Sequence, residues 1–129
     1  MTFYLVIDTN VIISSLIKHD SYPGKIIDLI ISNAVIPVIS EKIIKEYENV
    51  FNSTKFGFSK EDIQAFITYL KCSSVNIVPT PSGIKLIDLD DTVFYDAFKT
   101  LQSSNSVYLV TGNKKHFPSE DGIVTPHQM

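Results

Sequence analysis

The stretch Phe3 to Asn10, FYLVIDTN, governs how the rest of the chain is interpreted. Its first five residues form an uninterrupted apolar run, which is typical of a strand buried on both faces of a parallel sheet. Asp8 ends this run, and a second apolar segment from Val11 to Ile17 follows. A carboxylate at the carboxyl end of a strand, just before a helix, lies where open α/β sheets bind ligands. Asp8 is therefore either a functional carboxylate or an ordinary helix cap.

The composition describes one globular domain. The chain of 129 residues is long enough to bury a core, and we expect residues 1–129 to form a single domain. Its one cysteine, Cys72, can form no internal disulfide, which favours a reducing compartment. No apolar run is long enough to cross a bilayer and no basic region precedes the first apolar stretch, so we expect a cytoplasmic protein without a membrane partner.

The charges limit how this protein could bind nucleic acid. The net charge is −3, and all eleven basic residues are lysines. Without arginine there can be no bidentate guanidinium contact to phosphate or guanine. Because the overall charge does not attract a polyanion, contact with nucleic acid would need help from a metal ion.

Alternating apolar runs predict an α/β fold. Strands are expected at 3–7, 34–39, 76–78, 106–110 and 122–125, and helices at 11–17, 25–32, 41–51, 59–71 and from 92 to about 103. Ser40 and Ser59 are predicted N-caps. Pro37 is unusual inside a strand, because proline normally marks a sheet edge or a strand end. The order of elements predicts a three-layer α/β/α fold with a mostly parallel central sheet of four to five strands.

Polar segments lie where this plan brings strand ends together. Asp8, the helix start before Glu46, the acidic segment 88–91 and residues 111–113 are all expected at the carboxyl edge of the sheet. Three carboxylates within 88–91 exceed what one helix cap requires, and they repel one another. Carboxylates gathered without arginine favour a hard cation such as Mg²⁺ or Mn²⁺.

Four of these segments resemble, in order, the motif set of PIN-domain nucleases. They are VIDTNV at 6–11, Glu46, the acidic segment that leads into Phe94, and LVTGN at 109–113. The likeness extends to bacterial PIN proteins described as toxin components of toxin–antitoxin pairs, whose last motif often reads TGN-x-KHFP, as 111–118 do here.

The resemblance implies a metal-dependent endoribonuclease that cleaves single-stranded RNA with Mg²⁺ or Mn²⁺. It assigns catalytic and metal-binding roles to Asp8, Glu46 and Asp91. The less favoured substitutes for Asp91 are Asp88, Asp90 and Asp96. A small antitoxin protein and a second copy of the chain, forming a homodimer, are candidate partners.

The fourth metal position departs from the family pattern, because Asn113 stands where most PIN nucleases have aspartate. An amide oxygen can ligate Mg²⁺ or hold a water but adds no charge, which weakens a second metal site. Substrate contacts are expected from the neighbouring polar residues, which are Asn10, Thr111, Lys114, Lys115 and His116. Phe56 and Phe58 could stack a base, although core packing is their commoner use.

Two other classes of function remain open at this point. An aspartyl phosphatase would use Asp8 as nucleophile but would need a second aspartate where Asn10 stands. A PIN fold without catalysis would act as a protein-binding or RNA-binding module. Asn113 favours that second alternative, and the carboxylates Asp8, Glu46 and Asp91 oppose it.

Overall fold

The structure is a computed structural model that describes residues 3–18, 20, 22–53, 57–84, 86, 91–102 and 106–128. Within these residues the chain forms five strands, β1 (Phe3–Ile7), β2 (Val35–Ile39), β3 (Val75–Asn76), β4 (Val107–Val110) and β5 (Ile123–Val124). The same residues form five α-helices, α1 (Thr9–Ile17), α2 (Tyr22–Ile31), α3 (Glu41–Ser53), α4 (Lys60–Ser73) and α5 (Thr92–Gln102). Short 3-10 turns cover Lys114–His116 and Pro126–Gln128.

The central sheet is parallel throughout its described strands, in the order β3-β2-β1-β4-β5. Strand β1 lies in the middle and pairs with both β2 and β4, which explains its continuous apolar sequence. Leu5, Val6 and Ile7 are accordingly at most 1% exposed. The predicted three-layer α/β/α architecture is confirmed, with five strands in the described part of the chain.

The helices cover the sheet with apolar side chains. Helices α2 and α4 contact β2, α5 contacts β1 and β4, and α3 contacts α1, α4 and α5. The largest fully buried side chains are Tyr47, Tyr95, Phe94, Phe98, Leu5, Ile7, Ile12, Ile26, Ile43, Ile67, Leu70 and Leu109. Among the described residues, no helix combines the length and apolar character needed to cross a membrane.

Two helix starts follow the predicted caps, and two lie earlier than predicted, since α1 begins at Thr9 and α2 at Tyr22. Ser40 Oγ accepts the Ile43 N–H at 3.1 Å, and Ser59 Oγ accepts the Asp62 N–H at 3.1 Å. Helix α2 begins at Tyr22, three residues before its predicted start. The reason is that proline is tolerated in the first helical turn, where its missing N–H has no intrahelical partner to lose.

Pro37 lies inside the sheet, although proline usually marks an edge. It pairs with Leu5 of β1 on one side. On the other side β3 begins to pair only at Val38. Strand β2 is thus a local edge at Pro37, and the missing N–H interrupts no ladder there.

Candidate functional site

Asp8 lies at the carboxyl edge of the sheet, between β1 and α1. The register pairs Ile7 with Val110, so the next residues of the two strands, Asp8 and Thr111, lie side by side. The Asp8 N–H donates to the Val110 carbonyl at 2.9 Å, which fixes the backbone, and the Thr111 hydroxyl donates to Asp8 Oδ2 at 2.6 Å. Although Asp8 occupies the N-cap position of α1, its side chain makes no capping hydrogen bond. The hydrogen bond from Thr111, rather than a cap at the start of α1, is therefore the main contact of this carboxylate.

The surroundings of Asp8 make its negative charge unfavourable. The residue is 4% exposed, and burial raises the pKa of its carboxyl above 3.8. The Thr111 hydrogen bond, the nearby N–H groups of Asn10 and Thr9, and His116 oppose that rise but do not cancel it. No lysine forms an ion pair with Asp8 in the part of the chain that the structure describes. A buried carboxylate without a cation is a group prepared to accept one.

Thr111 was expected to contact the substrate, but in the structure its side chain lies inside the protein. Its side chain is fully buried, donates to Asp8 and accepts the Asn113 N–H at 3.0 Å. A buried hydroxyl with both partners inside the protein offers no surface to a substrate. Thr111 instead holds the carboxylate of Asp8 in one orientation.

Asp91 and His116 form the second part of the site. Asp91 immediately precedes α5 and is 8% exposed, and its Oδ2 lies 3.1 Å from Nδ1 of His116. His116 also lowers the pKa of Asp8, so the two carboxylates neighbour the same imidazole ring. His116 was expected to bind substrate; the structure pairs its ring with Asp91 instead.

Glu46 lies on the helix that follows β2. It is half-buried on α3, six residues beyond Ser40, which corresponds to about 9 Å along a helix. Among the described residues, no three His, Cys, Asp or Glu side chains form a group that could hold a metal ion. The role of Glu46 as a metal ligand beside Asp8 and Asp91 stays a prediction.

Tyr47, on α3, supports the site, although no motif in the sequence includes it. Its hydroxyl donates to the carbonyl of Ile7 at 2.5 Å, and its ring packs 6.0 Å from that of Phe94. Burial raises the pKa of Tyr47, and the charge of Asp8 raises it further. The hydroxyl of Tyr47 was the one indication in the sequence, because a tyrosine on a buried helix face needs a hydrogen-bond partner.

The other predicted residues occupy varied positions. Four of them, Asn10, Asn113, Lys114 and Lys115, are exposed at or near the carboxyl edge. Asp96 accepts the Ser82 N–H at 3.1 Å, and Phe58 packs edge-on against Phe51 at 5.7 Å. Asp88, Asp90 and Phe56 lie outside the described residues.

The donor atoms suit a divalent cation of the Mg²⁺ type. Such an ion keeps several waters and commonly uses one or two protein carboxylates together with substrate phosphate, which Asp8 and Asp91 would provide. Beside Asp8, the Thr9 hydroxyl is buried and has no hydrogen-bond partner among the described residues. Buried polar atoms are normally satisfied, so this one is consistent with a further polar group bound nearby.

Comparisons with known proteins identify a family with this kind of fold and site. The PIN domain family matches residues 4–115. An uncharacterized protein of the archaeon Methanocaldococcus jannaschii is 32% identical over 113 residues, which cover 85% of this chain and 70% of the archaeal protein. No solved protein structure gives a significant match.

The parallel sheet and the buried carboxylates at its carboxyl edge define the class of protein: an α/β fold with an acidic edge site. The match over nearly the whole chain then gives the family, and the chain belongs to the PIN-domain family. PIN domains are generally nucleases, and PIN-domain nucleases generally use divalent metals. Membership favours the nuclease over the aspartyl phosphatase.

Proposed function

We propose that this chain is a Mg²⁺- or Mn²⁺-dependent endoribonuclease that cleaves phosphodiester bonds of single-stranded RNA. The observation that carries the proposal is the state of Asp8, a buried carboxylate with a raised pKa, held by Thr111 and uncompensated by any described lysine. A buried carboxylate with a raised pKa costs stability, and such groups cluster at functional sites, which supports a role in binding a cation.

The residues of the site have separable roles in this proposal. Asp8 and Asp91 would hold the cation, Thr111 orients Asp8, and His116 orients Asp91. A divalent cation, when bound, supplies positive charge at the scissile phosphate and makes water a better nucleophile at neutral pH. Glu46 adds negative charge from its position on α3.

Substrate contacts are assigned to the exposed polar side chains around this edge. Lys114 and Lys115 lie on the 3-10 turn that also carries His116, and two neighbouring ammonium groups there attract phosphate. Asn10 and Asn113 are exposed amides that can hydrogen-bond a nucleotide or hold a water.

The toxin role and the partners belong to the same proposal. The final motif, which resembles that of toxin components, supports action on cellular RNA under the control of a small antitoxin protein. Growth arrest on expression, relieved by a small protein encoded beside this chain, is the expected behaviour. A homodimer, the remaining proposed partner, would be detected by sedimentation.

The decisive experiment measures cleavage of a fluorescently labelled single-stranded RNA while Mn²⁺ or Mg²⁺ is titrated into the protein. Cleavage that requires the metal, and that disappears in Asp8→Asn, supports the proposal. The matched control is Asp62→Asn, which makes the same change at an exposed carboxylate on α4 and should leave cleavage unchanged.

A second candidate function is a PIN fold that binds RNA or protein without cutting. Asn113 in place of aspartate favours it, as does the absence, among the described residues, of a three-ligand group for a metal ion. This alternative expects RNA binding without cleavage at every Mn²⁺ concentration, for the wild type and for Asp8→Asn equally.

A further inference from the structure

A second concave site lies beside the acidic one. It is an open cavity of about 250 Å³ whose walls are formed by residues 40–42, Ile77, Val78, Pro79, Pro81, Val93 and Asp96. We call it the β2–β3 cavity, because Ser40 directly follows β2 and Ile77 directly follows β3. None of the contacts that support Asp8 and Asp91 uses these residues.

The strand register places the β2–β3 cavity close to Asp8. Leu5 of β1 pairs with Pro37 of β2, so three residues further along Ser40 lies level with Asp8. Neighbouring strands are about 4.8 Å apart, which puts Ser40 one strand spacing from Asp8 and Ile77, the residue after β3, two spacings away.

Helix α5 joins the two sites on their other side. Asp91 immediately precedes this helix, and Val93 and Asp96 lie in its first turns. Five residues of helix span about 7.5 Å, so Asp96 is roughly that far from Asp91 along the axis. A chain lying along this edge of the sheet would therefore meet both sites within neighbouring units.

The outer wall of the cavity is held in place without any ligand. The Thr80 N–H donates to Thr100 Oγ1 at 2.9 Å, and the Ser82 N–H donates to Asp96 Oδ1 at 3.1 Å. These bonds fasten the extended segment 77–84 to α5. At the rim, the apolar side chain of Val78 is 94% exposed, so it is available to a ligand.

The lining selects for a flat, partly apolar group that carries hydrogen-bond donors. Valine and proline side chains offer apolar surface to the faces of a ring. The charged part of the lining consists of two carboxylates, Glu41 and Asp96, and one ammonium group, Lys42, so negatively charged acceptors outnumber the cationic donor. The volume is smaller than the roughly 300–1,000 Å³ of pockets for drug-sized ligands, which suits a single ring system.

We propose that the β2–β3 cavity is a nucleobase subsite, which receives the base of a nucleotide next to the scissile phosphate and prefers bases with an amino group. Cytosine, adenine and guanine present N–H₂ donors that a carboxylate can accept. Uracil presents carbonyl oxygens on either side of one N–H, and a carboxylate repels these oxygens. The inference rests on the proposed function for its substrate class, which is RNA.

The test uses binding, so it does not depend on cleavage. Cytidine and uridine are titrated separately into the metal-free, ¹⁵N-labelled protein, and backbone amide shifts are followed by NMR. We expect shifts confined to residues 77–82 and 93–96, with cytidine binding at least about fivefold more tightly than uridine. Asp96→Asn keeps the Oδ1 acceptor for Ser82 and should reduce that preference.

A rim variant supplies the matched comparison. Val78→Asp changes a side chain that is 94% exposed, so the fold should be retained, and it should abolish the shifts. Ile31→Asp makes the same kind of change at another exposed apolar residue, 60% exposed on α2, and should leave binding unchanged. Shifts that avoid the cavity, or equal binding of both nucleosides, would overturn the inference.

Other outcomes separate this inference from the proposed function. Nucleoside binding in the cavity by a protein that cuts no RNA would retain the subsite and overturn the nuclease. Metal-dependent RNA cleavage without nucleoside binding in the cavity would retain the nuclease and overturn the subsite. If Val78→Asp altered only the oligomeric state, the cavity would be a protein interface and the subsite would be lost.

Discussion

Two carboxylates in this molecule accept a hydrogen bond from a hydroxyl group, yet they sit in opposite electrostatic surroundings. Glu120 accepts a hydrogen bond from the Tyr95 hydroxyl and pairs with the ammonium of Lys99 at 2.8 Å. Partial burial acts to raise its pKa, but the Lys99 and Tyr95 hydrogen bonds outweigh this and hold the pKa of Glu120 below 4.5. Asp8 accepts a hydrogen bond from the Thr111 hydroxyl and has no lysine partner among the described residues, and burial raises its pKa.

The comparison shows how a structural carboxylate differs from one kept for a ligand. The Glu120 cluster consists of Glu120, Lys99 and Tyr95, and it joins α5 to the segment before β5. Lys99 supplies the cation of this cluster. Burial and Glu120 raise the pKa of Tyr95 to about 12, so its hydroxyl stays a hydrogen-bond donor. At Asp8 the described residues supply orientation and the neighbouring His116, but no lysine. A cation from solution would neutralise Asp8, whereas Glu120 already has Lys99 as its partner.

The largest effect is expected from Asp8→Asn, which removes the uncompensated charge. Metal-dependent RNA cleavage should fall by at least about 100-fold, because the variant loses a direct ligand. Mn²⁺ should raise the melting temperature of the wild type, since a ligand that binds only the native state stabilises it. Thermal scans with and without Mn²⁺ measure this, and an equal rise in wild type and Asp8→Asn would argue against the site.

Thr111→Val tests orientation without removing a carboxylate. The side chain keeps its shape but loses the hydrogen bond to Asp8, and we expect cleavage to fall by about 10–100-fold. Unfolding should become easier by about 1–3 kcal/mol, since Asp8 stays buried with one fewer donor. Thr111→Ser restores the hydroxyl and should recover most of the activity, whereas comparable losses in both variants would assign the effect to packing.

Asn113→Asp would make the acidic edge more negative and so sharpen the contrast with Glu120. An added charge near a cation is worth about 1 kcal/mol in water, so Mn²⁺ should bind about fivefold more tightly by calorimetry. Cleavage should stay equal or rise. If this variant cut RNA and the wild type did not, the wild-type chain would be a PIN fold without catalysis.

The smallest effect is expected at the compensated carboxylate. Glu120→Gln should cost about 1 kcal/mol of stability at neutral pH and leave RNA cleavage unchanged. Because the pKa of Glu120 is lowered in the folded state, its contribution is present above pH 4.5 and is lost as the pH falls through the lower, folded-state pKa. The free energies of unfolding of wild type and variant, measured with urea, should therefore converge at acidic pH. A difference that persisted at acidic pH would contradict the role given to the ion pair.

Local sequence determined most of the architecture. The apolar run before Asp8 had to become a strand buried on both faces, and Ser40 and Ser59 had to cap helices, because these outcomes depend on side-chain pattern and on nearest neighbours in the chain. Motif order was likewise sufficient for the family, which the match over residues 4–115 confirms.

Tertiary structure alone decided the site's internal geometry. The bond between Asp8 and Thr111 joins residues 103 positions apart, and it follows from strand register rather than from any local pattern. The roles of Thr111 and Tyr47 as supports and the pairing of His116 with Asp91 depend in the same way on how helices and strands pack together. Sequence names the groups that can do chemistry, but their burial and partners, which set their charge, arise only when distant segments meet.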